Sequence, residues 1–215
     1  MIEFNDSKNW LDERIAHIPK SYYVPEIFNG DGICIDIGSN VGAFSIVYND
    51  RFKKIYCYEP AEYTFNECKK NLSKYSNIEV YNFAITNKSD ELVKLKSYKE
   101  LNYSGNASLI DSPEWDNNNY EYVKTKSFQD ILNECLISGE KNYIKIDTEG
   151  SEYDMLMNQD LSMIDFLAVE IHLQLGREKM NELRDYLFKY FNIIKDSGGE
   201  NFHYETVYIN KNIKL

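Results

Sequence analysis

Several residue types that mark common functional classes are scarce in this chain. Among 215 residues there are four cysteines (Cys34, Cys57, Cys68 and Cys135), and no two form a C-x-x-C pair. That spacing argues against a zinc knuckle or a thioredoxin-like centre. Cys34 and Cys57 lie inside apolar runs and read as small core residues. Only four of the 24 basic residues are arginine (Arg14, Arg51, Arg177 and Arg184), against 35 acidic residues and a formal net charge of −11. Such a balance repels phosphate, so a nucleic-acid partner or an anionic membrane surface is not expected. No stretch approaches the ~18 consecutive apolar residues of a membrane span. Met1 to Trp10 is polar and lacks an apolar core of signal-peptide type. The expectation is a reducing, cytoplasmic setting.

What is present is a foldable chain. An apolar fraction of 43 % with 14 % aromatic residues suffices for a buried core. The length favours a single domain over residues 1–215, with a lead-in over 1–30 expected to be helical. Short apolar runs read as strands at Ile33 to Ile37, Ile55 to Tyr58, Ile78 to Ile85, Tyr143 to Ile146 and Phe166 to Ile171. Ile193-Ile194 and Thr206 to Ile209 add two more. Helical patterns lie between them: Val41 to Tyr48, then Phe65, Cys68 and Leu72 after Pro60, then Met155-Leu156, then the stripe Met180, Leu183, Leu187 and Tyr190. The alternation predicts an α/β, doubly wound, mostly parallel sheet. Its last two strands, joined through Gly198-Gly199-Glu200, should form a hairpin. From Tyr98 to Tyr120 the chain is rich in Asn, Ser and Asp, and it reads as an insertion or lid over residues 98–120. Leu92 to Leu95 and Tyr120 to Lys124 on its flanks are a candidate hairpin.

The first strand runs into a glycine turn, Asp36-Ile37-Gly38-Ser39-Asn40-Val41-Gly42. A dinucleotide fingerprint needs glycine where Asn40 stands, so that the backbone can approach a pyrophosphate. Asp36 at the strand end would also disfavour that anion. S-adenosylmethionine has no phosphate and carries an amino group and a sulfonium, both cationic. Asp36 suits the amino end, and Gly38 to Gly42 lets the chain pass close to the methionine moiety. Glu59 ends the second strand about twenty residues later, where an acid hydrogen-bonds ribose hydroxyls; an acid before Pro60 also suits a helix N-terminus, but position and spacing together favour the ribose role.

A second acidic group follows the fourth strand: Lys145-Ile146-Asp147-Thr148-Glu149-Gly150-Ser151-Glu152. Ligands of open α/β sheets sit beyond the carboxyl ends of the strands. Asp147 and Glu149 are therefore expected to face the same crevice as Asp36 and Glu59, whereas Glu152 reads as the first turn of a helix. Val169-Glu170-Ile171-His172 ends the fifth strand, with Glu170 and His172 on one side by alternation.

Together these residues resemble the FkbM family of S-adenosylmethionine-dependent methyltransferases. The matching pieces are Asp36 to Gly42, Tyr58-Glu59-Pro60, Ala84, Ser108-Leu109, Lys145 to Glu152 and Val169 to His172. The resemblance implies a class I methyltransferase, Rossmann-like fold of seven strands with the last antiparallel. It also implies O-methylation, commonly of sugar hydroxyls or of secondary metabolites. On it, the cofactor-binding set is Asp36, Gly38, Ser39, Asn40, Gly42, Glu59, Pro60, Ala84, Ser108 and Asp147.

An alcohol must lose its proton as it attacks the methyl group, and a general base or a divalent metal can remove it. His172 is the expected base, with Asp147, Glu149 or Glu170 orienting it or the acceptor. Asp147 and Glu170 are also candidate ligands for Mg²⁺ or Mn²⁺. Tyr103, Trp115 and Tyr120 are candidates to stack on a sugar ring. The isolated prolines exclude the Pro-Pro-aromatic motif of nucleic-acid N-methyltransferases. No cysteine follows a proline, as a cytosine C5 enzyme would need. The expected acceptor is a sugar hydroxyl of a glycan or glycoconjugate. The alternatives are a small secondary metabolite, or a degenerate module that binds the cofactor without turning it over.

Overall fold

The computed structural model describes residues 7–98, 107–110, 115–196 and 203–214. Its centre is a seven-stranded sheet in the order β10-β11-β9-β8-β1-β2-β3. Here β1 is Ile33–Ile37, β2 Lys54–Tyr58, β3 Ile78–Tyr81, β8 Asn142–Ile146, β9 Phe166–His172, β10 Phe191–Asp196 and β11 His203–Asn210. β1, β2, β3, β8 and β9 are parallel, while β11 runs antiparallel to both β9 and β10. The expected sheet, including its antiparallel last strand, is therefore present.

Strands covered on both faces favour apolar side chains, and β1 and β8 are buried at every position, with Asp36, Asn142 and Lys145 as the polar exceptions. Helices α1 (Ser7–Ser21), α2 (Ala43–Val47) and α3 (Glu62–Leu72) lie on one face, through Ile18, Phe44, Cys68 and Leu72. Helices α4 (Phe128–Cys135), α5 (Glu152–Leu156) and α6 (Arg177–Leu187) cover the other, through Phe128, Ile131, Met155, Met180, Leu183 and Leu187. All four cysteines are buried and free.

Winding runs outward from β1 to β3, then returns to β8 on the other flank of β1. The switch point thus lies between β1 and β8. Ile37 is level with Tyr58 on one side and with Ile146 on the other. Gly38, Glu59 and Asp147 consequently leave the sheet at one edge. Ile146 is level with Val169, and β9 runs three residues further. That overhang carries Glu170 and His172 over the same edge.

The run Ile78 to Ile85 is not one strand. β3 stops at Tyr81, and β4 (Ala84–Thr86) joins a second, four-stranded sheet of order β4-β7-β5-β6. Asn82 makes the break: its Nδ2 donates to the carbonyls of Glu59 and Pro60 at 2.9 and 2.7 Å, diverting the chain. In the small sheet, β5 (Leu92–Tyr98) pairs antiparallel with β7 (Trp115–Ser127), and β6 (Ala107–Ser108) adds to β5. The flanking hairpin extends beyond its expected ends, since Tyr98 pairs with Trp115. The 98–120 stretch is therefore not loop throughout. Tyr103 and the rest of 99–106 and 111–114 lie outside the described residues. None of the described helices is long and apolar enough to cross a membrane.

Candidate active site

The glycine turn is shaped by close contact with the loop after β8. Gly38 has φ +72°, and a Cβ there would stand 1.8 Å from the carbonyl oxygen of Asp147. No side chain fits between these two backbones. Asn40 also takes a positive φ of 52°, which asparagine tolerates better than most residues. Every backbone amide of the turn is engaged. Gly38 and Ser39 donate to the Tyr58 carbonyl, and Gly42 donates to that of Ser39. Asn40 N–H donates to Glu59 Oε2 at 2.9 Å, and Val41 N–H donates to Asn40 Oδ1 at 2.7 Å. Glu59 Oε1 accepts from the Ala61 amide at 3.0 Å. Burial nonetheless pushes the Glu59 carboxyl up to about 7, against the pull of those two amides and of Lys145.

Asp36 departs from its expected place. It is fully buried, accepts from Ser45 Oγ at 2.9 Å and lies 3.3 Å from Lys145 Nζ. It does not line the cavity, where a contact with a cofactor amino group was expected of it. Lys145, 3 % exposed, is the cation that makes a buried Asp36 tolerable. Its Nζ also donates to the Gly38 carbonyl at 2.7 Å and lies 3.7 Å from Asp147. Burial alone would lower the ammonium pKa, but Asp36 and Asp147 raise it. One buried lysine thus joins the ends of β1 and β8.

The second acidic group surrounds His172. Glu152 opens the first turn of α5, as read in sequence; its side chain is fully buried, and its Oε1 organises the whole turn. It accepts from Thr148 N and Oγ1, from Gly150 N and from His172 Nδ1, all within 3.0–3.2 Å. His172 Nε2 is 3.5 Å from Glu149 and from Glu170, and 3.9 Å from Asp147. Burial would lower the imidazole pKa, yet Glu152, Glu149 and Asp147 outweigh it and hold it well above its ordinary value. An imidazolium has no lone pair to accept a proton, so these carboxylates work against the expected role of His172 as general base.

The carboxylates diverge in turn. Burial opposes the ionisation of Asp147, but Lys145, His172 and the Tyr22 hydroxyl lower its pKa. Glu149, held at φ +54°, has fewer such partners, and burial raises it to about 7. Tyr22 Oη sits 3.2 Å from both Asp147 Oδ2 and Glu170 Oε2. Asp147, Glu170 and His172 each bring one ligand atom within 4.8 Å of the others, a geometry that can hold a cation.

A solvent-open cleft, about 710 Å³ counting its open mouth, runs along this edge. Of the expected residues, Gly38, Asn40, Glu59, Pro60, Ala84, Asp147 and Glu149 line it. Ser39, Gly42, Ser108, Glu170 and His172 stand behind. Ser39 Oγ contacts Cys68 Sγ, and Ser108 Oγ donates to the Glu149 carbonyl at 2.6 Å. A Cβ on Gly42 would meet Leu72 at 2.9 Å, so this glycine serves helix packing. Sequence reading missed Arg14, Phe83, Ile85, Leu95, Thr148 and Ser151 in the lining. Phe83, Ile85 and Leu95 belong to the small sheet or its approach, which no local pattern ties to the glycine turn. Tyr120 is not in the lining; it lies on the exposed face of the hairpin, with Lys94 Nζ 4.1 Å from its ring centre.

A family model described as the methyltransferase FkbM domain matches residues 36–198. The chain belongs to the FkbM methyltransferase family. That span holds both acidic groups and the glycine turn, and membership makes the chain an S-adenosylmethionine-dependent methyltransferase. Methyltransferase 1 of Beauveria bassiana (strain ARSEF 2860) is 25 % identical over 177 residues, covering 72 % of this chain and 70 % of its own. Among solved structures, M. capricolum TrmK in complex with S-adenosyl-homocysteine superposes with TM-score 0.50 at 14 % identity, over 94 % of this chain and 68 % of that one. An rRNA methylase from Streptococcus thermophilus gives 0.51 at 11 % identity, over 98 % of both chains. At these identities the likeness to the solved structures concerns the fold.

Proposed function

We propose that this FkbM protein methylates a hydroxyl oxygen of a sugar carried by a glycan or glycoconjugate, with Glu149 as the proton acceptor. The observation that carries the reading is one cavity that joins Glu59 and the glycine turn to Asp147 and Glu149. Glu59 would take the ribose hydroxyls on its free lone pairs. Phe83, Ala84, Ile85 and Leu95 form an apolar wall for an adenine. S-adenosylmethionine supplies, when bound, an activated methyl group on a sulfonium.

The remaining chemistry falls to the protein. A neutral alcohol is a weak nucleophile, and a base with a pKa near the working pH removes its proton most effectively. Glu149 meets that condition in the cavity wall, while Asp147 is held ionised by Lys145 and His172. Glu149 would take the acceptor O–H proton as that oxygen bonds the methyl carbon and the sulfur–methyl bond breaks, the thioether S-adenosylhomocysteine being the leaving group. Among the described lining residues, the acids outnumber the single arginine, which suits a neutral polyhydroxy acceptor better than a phosphate-rich polymer.

Incubation with methyl-labelled S-adenosylmethionine and a panel of nucleotide sugars, glycans and small phenols tests this. Label in a sugar supports the reading. Label in phenols alone favours a secondary metabolite, and binding without transfer favours a degenerate module. A second reading adds a divalent ion on Asp147, Glu170 and His172, favoured by their convergence. The ion would displace the imidazolium proton, because only neutral histidine ligates. Turnover unchanged in EDTA would sink it.

A further inference from the structure

Glu149 is held in a backbone conformation that its own chemistry does not favour. Its φ is +54°, in the left-handed region that residues with a Cβ rarely occupy. Such a residue keeps that geometry only where its surroundings over-determine it. Here the determinants meet on one peptide unit, that between Glu149 and Gly150. Its N–H donates to Glu152 Oε1 at 3.1 Å, and its carbonyl accepts from Ser108 Oγ at 2.6 Å. A flip of this peptide would relax Glu149 and break both bonds at once.

The two anchors come from different parts of the fold. Glu152 opens α5, directly after the turn. Ser108 lies in β6 of the small sheet, 41 residues away along the chain. It is fully buried and paired with Lys96 of β5, and its Oγ also accepts from the Ile110 N–H at 3.2 Å. With one bond given and one received, the hydroxyl is fixed in direction. Ile110 closes against the same turn, for a Cβ on Gly150 would meet its Cδ1 at 2.6 Å. Ala107 and Leu109, on either side of Ser108, line the cleft, whereas Ser108 does not. This short segment thus presents apolar side chains to the cleft and a hydroxyl to the turn behind it.

We infer that Ser108 is a positioning residue for methyl transfer: it fixes the Glu149–Gly150 peptide, and through it the direction of the Glu149 carboxylate in the cleft wall. This rests on the reading of Glu149 as proton acceptor. It gives Ser108 a role other than the cofactor contact that the family resemblance implies, and it makes the small sheet a support of the reacting geometry.

The test is a double-mutant cycle on the full chain. Ser108→Ala, Glu149→Gln and the double variant are compared with the native chain in methyl transfer from labelled S-adenosylmethionine to nucleotide sugars, glycans and small phenols. Affinity for S-adenosylhomocysteine is read by calorimetry, and hydrogen exchange of the Gly150 amide by NMR, both without acceptor. Ser108→Ala should lower kcat about tenfold or more, the effect of a small displacement of a reacting group. Its affinity for S-adenosylhomocysteine should stay within about twofold of native. Its Gly150 amide should exchange about tenfold faster, as for loss of one buried hydrogen bond, while the amides of Ile35 and Ile144 in the central strands keep their native rates. In the Glu149→Gln background Ser108→Ala should lower kcat no further, because a residue acting through Glu149 then has nothing left to position. Losses that multiply instead would make Ser108 merely structural and overturn the assignment. Weakened S-adenosylhomocysteine binding by Ser108→Ala would make it a cofactor contact and overturn it too, as would an unchanged Gly150 exchange rate. Native kcat in Glu149→Gln would overturn the proton-acceptor reading by itself; the Gly150 exchange then still decides whether Ser108 holds the turn. Failure of the native chain to transfer label would overturn the proposed reaction, and the positioning role with it.

Discussion

Replacing Gly38 by alanine probes the closest backbone approach in the site. The added Cβ would stand 1.8 Å from the Asp147 carbonyl oxygen, where real contacts stay beyond 3.0 Å. The neighbour is backbone on both sides, so relief requires the β1 and β8 loops to part by more than 1 Å. Two costs add. An L-residue at φ +72° costs about 1–2 kcal/mol. Overpacking costs about 1–3 kcal/mol more. The total of about 2–5 kcal/mol is a large share of the about 5–15 kcal/mol that holds a domain folded. Gly139 provides the control, because its φ is +85° and nothing lies within 4 Å of its virtual Cβ. Gly139→Ala should therefore show the backbone cost alone. Urea denaturation of both variants isolates the steric part as their difference. Parting the loops also moves the Gly38 carbonyl from Lys145, so turnover of Gly38→Ala should fall about a hundredfold, as for a misplacement near 1 Å. If Gly38→Ala is no less stable than Gly139→Ala, within about 0.5 kcal/mol, the close-approach argument is wrong.

Other outcomes follow from the same geometry. Lys145→Met strands Asp36 as an unpaired buried charge and should cost about 3–5 kcal/mol, whereas the double variant Asp36→Asn/Lys145→Met should recover most of it; equal losses would refute the pairing. Glu59 titrates near 7 when folded, against an ordinary value of 4.5, so the native state holds an extra proton between those values. Stability of the ligand-free chain should accordingly fall as pH rises from 5 to 7 through this group, and Glu59→Gln should flatten that slope in thermal melts. In ¹⁵N spectra at pH 7.5 the ligand-free protein should show His172 doubly protonated, and Glu152→Gln should bring its titration down towards the ordinary histidine range. A singly protonated His172 in the native protein would restore it as a candidate base.

How far the molecule was legible in advance depended on the range of the forces involved. The strands Ile33–Ile37, Phe166–His172 and the β10–β11 hairpin follow from apolar runs and turn residues, which act over a few positions. The convergence of Gly38, Glu59 and Asp147 was also readable, because parallel winding brings strand ends to one edge. The split at Asn82 was not, since its cause is a side-chain amide reaching back to Glu59 and Pro60. Nor was the inward turn of Glu152: an acid in a first helical turn is ordinary on a surface, and only packing against His172 distinguishes this one.

The sequence by itself therefore determined the fold class, the family and the edge of the sheet where the acids gather. Those depend on hydrophobic periodicity and on the local demands of glycine turns. Tertiary structure alone decided which acids face the cavity and in which protonation state. Asp36 withdrew onto Lys145, His172 came to lie among four carboxylates that raise its pKa, and Glu149 was left near 7. Burial and neighbouring charge set such properties, and both are fixed only when segments distant in sequence meet.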